Sequence, residues 1–70
     1  MITWLQLPKT SGYGFSSVRG LRRAEIIRVD IGQWIIRIFI GGLRIRGVIP
    51  ETAMSVELAK EKASKWLLQP

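Results

Sequence analysis

Seventy residues give one domain with one small core, and an apolar fraction of 47% sets the chain apart from disordered proteins. There is no cysteine and no histidine, which removes disulfides, thiolate chemistry, the commonest general base and the commonest transition-metal ligand. The net charge of +6 is unevenly placed: residues 1–50 carry Lys9 and all the arginines against Glu25 and Asp30, whereas the lysines and glutamates of residues 51–70 balance.

Residues 1–12 read as an arm, with Trp4, Leu5 and Leu7 to pack and a turn after Pro8. Residues 13–20 alternate in part and stop at Gly20, a short first strand. Residues 22–29 mix helix formers with the β-branched Ile26, Ile27 and Val29. The Asp30-Ile31-Gly32 that follows suits a three-residue hairpin loop with a bulge, so the segment is read as a strand. Residues 33–40 are β-branched and aromatic almost throughout. Gly41-Gly42 forms a two-residue hairpin loop, and residues 43–49 return as a strand that Pro50 ends. Residues 53–68 read as one helix, with Ser55 a good N-cap and a stripe of Val56, Ala59, Ala63, Trp66 and Leu67. The expected fold class is α+β: an antiparallel sheet of three to four strands within residues 13–49, packed on one C-terminal helix, in a single domain over residues 1–70.

The turns also set a register. Across Gly41-Gly42, Ile40 faces Leu43, Ile38 faces Ile45, Ile36 faces Gly47 and Trp34 faces Ile49. This is one apolar face, on which Gly47 leaves room for the helix or for Trp66. The opposite face pairs Phe39 with Arg44, Arg37 with Arg46 and Ile35 with Val48. Across the preceding loop, Ala24 joins Ile38 and Ile26 joins Ile36 on the apolar face, while Arg23 joins Phe39, Glu25 joins Arg37 and Ile27 joins Ile35 on the other. The arginines therefore alternate with the core.

The five carboxylates form no pair at a convincing catalytic spacing and offer only scattered ligands, and neither Gly12-Tyr13-Gly14 nor Gly41-Gly42 opens a helix as a phosphate loop does. No catalytic residue, metal or cofactor is expected. Residues 26–49 are interrupted by Arg28, Asp30, Arg37, Arg44 and Arg46, so no transmembrane window survives; no membrane partner is expected, and a cytoplasmic location is the default. The pattern supports binding instead. Arginine forks suit phosphates and base edges, and an aromatic among them can stack, so Arg23, Arg37, Arg44 and Arg46 around Phe39 read as a site for DNA or RNA. The plain alternative is a solvated face on which Glu25 neutralises Arg37. A further alternative is protein recognition. Ile27, Ile35 and Val48 form an apolar patch that Trp4, Leu5 and Leu7 cover or that, left open, serves a homodimer or another partner.

Val18-Arg19, Ala24-Glu25-Ile26 and a strand led by Trp34, followed by a helix, resemble the plant ethylene-response-factor DNA-binding domain. The topology is also similar to the arm-site-binding domain of phage integrases. These resemblances imply sheet-face arginines on DNA and nominate Arg19 beside Arg23, Arg37, Arg44 and Arg46. Trp34 departs from the pattern, because the register places it in the core. The stretches "GQWIIRIFIGGLRIRG" (32–47) and "ELAKEKASKWL" (57–67) are similar to short phage and prophage proteins with a tryptophan strand, a Gly-Gly hairpin and a closing helix. That second resemblance implies a non-enzymatic, anti-CRISPR-type inhibitor that occludes a protein or ribonucleoprotein surface.

Overall fold

The structure, a computed structural model, describes residues 2–8 and 14–70. The turn expected after Pro8 and Tyr13 at the head of the first strand lie outside the described residues. In chain order the strands are β1 (Leu5–Gln6), β2 (Gly14–Arg19), β3 (Arg22–Asp30), β4 (Gln33–Ile40), β5 (Leu43–Ile45) and β6 (Thr52–Ala53), followed by the helix α1 (Val56–Leu67). Every pairing is antiparallel; the sheet runs β1-β2-β3-β4-β5, with β6 also on β4. The class is α+β as the pattern implies, with more and shorter strands than the three or four expected. The two added pieces are β1, within the arm, and β6, just before the helix.

The centre of the sheet follows the register set by the turns. Arg23 pairs with Phe39, Ala24 with Ile38, Glu25 with Arg37, Ile26 with Ile36 and Ile27 with Ile35. The β3–β4 turn closes at Ile31-Gly32, where Gly32 takes a φ of 68° and the Asp30 carboxylate accepts from the Ile31 N–H at 2.7 Å. A register shift between Arg28 and Asp30 absorbs the extra residue as a bulge.

The strand expected over residues 43–49 is interrupted. Leu43, Arg44 and Ile45 pair with Ile40, Phe39 and Ile38 as anticipated. The pairing then stops, and β4 is next met by Thr52 opposite Ile35 and Ala53 opposite Trp34. From Ile38 to Trp34 is four steps on β4, and from Ile45 to Ala53 is eight on its partner, so four residues are extra. Six residues, 46–51, thus stand against the two between Ile38 and Ile35, and 46–50 leave the sheet as a loop. Gly47 permits the departure with a φ of 79°, and Pro50 has no N–H to give to the ladder. The expected partners Arg46, Gly47, Val48 and Ile49 are therefore not paired with Arg37, Ile36, Ile35 and Trp34. The Ile36 N–H goes to the Glu51 carbonyl instead, at 2.8 Å.

The helix starts at Val56, three residues later than expected, because Ala53 is held in β6 against Trp34. Ser55 is the N-cap, its hydroxyl accepting from the Leu58 N–H at 3.2 Å. Ala59, Ala63, Trp66 and Leu67 are buried against the sheet, where Ala24, Ile26, Trp34, Ile36 and Ile38 complete the core. Small side chains at Ala24, Ala59 and Ala63, all fully buried, mark the helix–sheet contact. Gly47 provides none of that room. It is exposed, and a Cβ built on it meets nothing.

Two further devices close the core. The buried Ser17 hydroxyl donates to the Thr3 carbonyl at 2.6 Å and ties the arm to β2, while Ile2 and Trp4 pack on the helix side. At the other end, Arg19 donates to the Leu67 carbonyl at 2.9 Å and Arg22 to the Trp66 carbonyl at 2.5 Å. Both carbonyls are in the last helical turn, where backbone acceptors lack partners and a cation is favoured. Among the described residues, no helix is long and apolar enough to cross a membrane.

Candidate nucleic-acid interface

Alternation along the paired strands decides which side chains share a face. Ala24, Ile26, Trp34, Ile36, Ile38 and Ala53 point to the helix. Their neighbours Arg23, Glu25, Ile27, Ile35, Arg37, Phe39 and Arg44 occupy the opposite face. Among the described residues no second layer covers it. Four of the nominated residues, Arg23, Arg37, Phe39 and Arg44, are brought together here.

Arg23 and Phe39 form the centre. They are directly opposite on β3 and β4, and the guanidinium lies 4.3 Å from the ring centroid. This is a cation–π contact, with the planar guanidinium as a surface for stacking. Arg23 also lies 3.6 Å from Glu25, whose side chain is 17% exposed. Glu25 is thus paired along its own strand with Arg23, not across the strands with Arg37, although Arg37 is its register partner. The Arg37 Nε is buried and, among the described residues, has no hydrogen-bond partner. Arg44, opposite Phe39, reaches Glu51 at 4.0 Å.

The other two nominated arginines are placed differently. Arg19 is opposite Arg22 in the β2–β3 pairing, two residues beyond the inward-facing Ser17, and it caps the helix. It belongs to the helix side of the sheet and lies apart from the face that holds Arg23, Arg37 and Arg44. Arg46 is exposed one residue past β5, in the loop, and is not a register partner of Arg37.

The apolar patch is also rearranged. Ile27 and Ile35 are adjacent as expected, but Val48 is 55% exposed in the loop and Thr52 takes its place beside Ile35. Trp4 does not cover the patch, since it packs toward the core on the other side. Leu5 pairs with Ser16 and is 66% exposed.

Sequence reasoning missed two contributors. Glu51 comes within 4.0 Å of Arg44 only because the loop carries it back beside β4. Arg22 is a helix cap rather than a surface charge, and its alternation with Ala24 was the available signal. A cleft of about 480 Å³ near the β3–β4 turn is lined by Ile31, Met54, Leu58 and Lys62 among others. Lys62 is its one charged lining residue, so it offers no acid–base pair.

No family model, no curated protein and no solved structure matches the chain.

Proposed function

We propose that the chain is a small nucleic-acid-binding protein that uses the open face of its sheet. The observation that carries this reading is the Arg23–Phe39 cation–π contact flanked by Arg37 and Arg44 on a face that, among the described residues, no second layer covers. Arginine forks on a flat, open sheet suit phosphates, and a guanidinium supported on a ring offers a platform for an unstacked base. The net charge of +6 favours encounter with a polyanion. Arg46 adds a cation at the rim. Arg19 does not contribute a contact.

Gel-shift titrations against duplex DNA, single-stranded DNA and RNA over a range of salt test the reading. Affinity should fall with salt with a slope of about −0.7 to −0.9 for each phosphate contact. Arg37→Ala with Arg46→Ala should lower that slope by roughly 1.5 while leaving the fold intact. Absence of salt-sensitive binding to all three would falsify the proposal.

A second reading is favoured by the two ion pairs. Arg23–Glu25 and Arg44–Glu51 offset part of the positive charge, and Ile27 and Ile35 add apolar surface beside it. That mixture suits a protein or ribonucleoprotein partner, such as the target of a phage-encoded inhibitor. It forecasts tight, weakly salt-dependent binding to one complex and none to naked nucleic acid.

A further inference from the structure

The strand beside β4 is broken opposite Arg37. β5 ends across from Ile38, β6 begins across from Ile35, and the loop over residues 46–50 fills the interval. Three observations meet at this break. The Arg37 Nε is buried without an acceptor among the described residues, whereas Arg37 as a whole is only partly buried. A buried N–H that lacks a partner is costly, and the group that relieves it gains a charge-assisted hydrogen bond. Arg44, diagonal to Arg37 across the strands, meets Glu51 at 4.0 Å between two side chains that are 33% and 48% exposed. Such a pair is loose and screened. Arg46 opens the loop and is exposed.

We infer that the break is a phosphate site, which rests on the nucleic-acid reading and names the part of the ligand it holds. The Nε and one terminal nitrogen of a guanidinium make a two-donor edge that matches two phosphate oxygens. Arg37 carries that edge with its Nε unpaired but covered, so the anion completes it only as the covering side chains give way. Arg44 reaches the same oxyanion by exchanging Glu51 for it, and Arg46 lies in the loop that borders the break. Glu51 is then an internal competitor, a carboxylate resting where the phosphate goes. Glu25, the register partner of Arg37, is already paired with Arg23, so Arg37, Arg44 and Arg46 against Glu51 leave a net positive site once the anion arrives, which favours a phosphodiester chain over a single carboxylate.

The test follows the Arg37 Nε–Hε resonance by ¹⁵N NMR in the intact chain, with an oligothymidylate of about twelve nucleotides and with inorganic pyrophosphate as separate probes. Both probes should shift it. Arg37→Lys keeps the charge and loses the fork, so oligonucleotide affinity should drop about five- to tenfold with the salt slope unchanged. Glu51→Gln should tighten binding by about three- to tenfold and steepen the slope. An amide spectrum otherwise like wild type shows that each variant is folded. If the oligonucleotide binds but the resonance stays still and both variants bind like wild type, the site is overturned and the nucleic-acid reading stands. If pyrophosphate alone shifts it, the site stands and the nucleic-acid reading falls. If neither probe binds, or only a glutamate-rich peptide shifts the resonance, both are overturned.

Discussion

Arg22 caps the helix at the residue whose ring it also covers. It donates to the Trp66 carbonyl, and its guanidinium stands 5.2 Å from the centroid of the Trp66 ring. One side chain thus joins the start of β3 to the end of α1. Arg22→Ala should destabilise the fold by about 1.5–3 kcal/mol, the range for a hydrogen bond from a charged donor. Arg22→Lys should recover only part of it, since an ammonium lacks the planar fork. Urea denaturation of the three proteins decides. If Lys restores full stability, the charge alone matters at the helix end.

Trp66 is 2% exposed and lies in the core with Ile26 and Ile36. Trp66→Ala should cost about 3–5 kcal/mol, enough to unfold much of a 70-residue chain. Near-UV circular dichroism of the variant is the direct readout; retained tertiary signal would show that the helix packs by another face.

The glycines at 14 and 47 should respond in opposite ways. A Cβ on Gly14 collides with the carbonyl oxygen of Ile26 on the neighbouring strand, so even Gly14→Ala should cost about 1–3 kcal/mol. At Gly47 there is open space but a positive φ. Gly47→Ala and Gly47→Leu should therefore cost a similar amount, about 1–2 kcal/mol, set by the backbone and not by side-chain size. A Leu variant much worse than Ala in thermal melts would show that a side chain at position 47 meets packed neighbours after all.

Arg19 and Arg23 separate stability from binding. Arg19→Ala removes a helix cap and should lower the melting temperature with little change in salt slope. Arg23→Ala removes the guanidinium above Phe39 and should weaken oligonucleotide binding by about tenfold or more, the low end of a base-stacking loss, with a smaller effect on melting. The reverse assignment of effects would move the binding face to the helix side.

The sequence made the centre of the fold legible because short turns fix register. Asp30-Ile31-Gly32 and Gly41-Gly42 were enough to place Ile26 against Ile36 and Phe39 against Arg44. It hid what depends on contacts distant in the chain. β1 is a strand because Leu5 and Gln6 find Ser16 and Phe15, and nothing in two residues announces that. Arg19 ends a strand that alternates only in part, so the β2–β3 register alone shows it turned to the helix. The break after Ile45 escaped because its extra residues are even in number. Ile45, Gly47, Ile49, Glu51 and Ala53 keep one parity, so the string still scans as a single alternating strand.

That hidden break gives the chain a natural splice point. β5 and β6 are each anchored separately on β4, so the residues between them need only span the gap. Lengthening such a connection costs little, about 0.6 kcal/mol for each doubling of its length. A reporter peptide grafted between Gly47 and Val48, both exposed, would leave the sheet untouched while sitting beside Arg37 and Arg44. The same tolerance lets the loop vary its length and reach while the core is held constant.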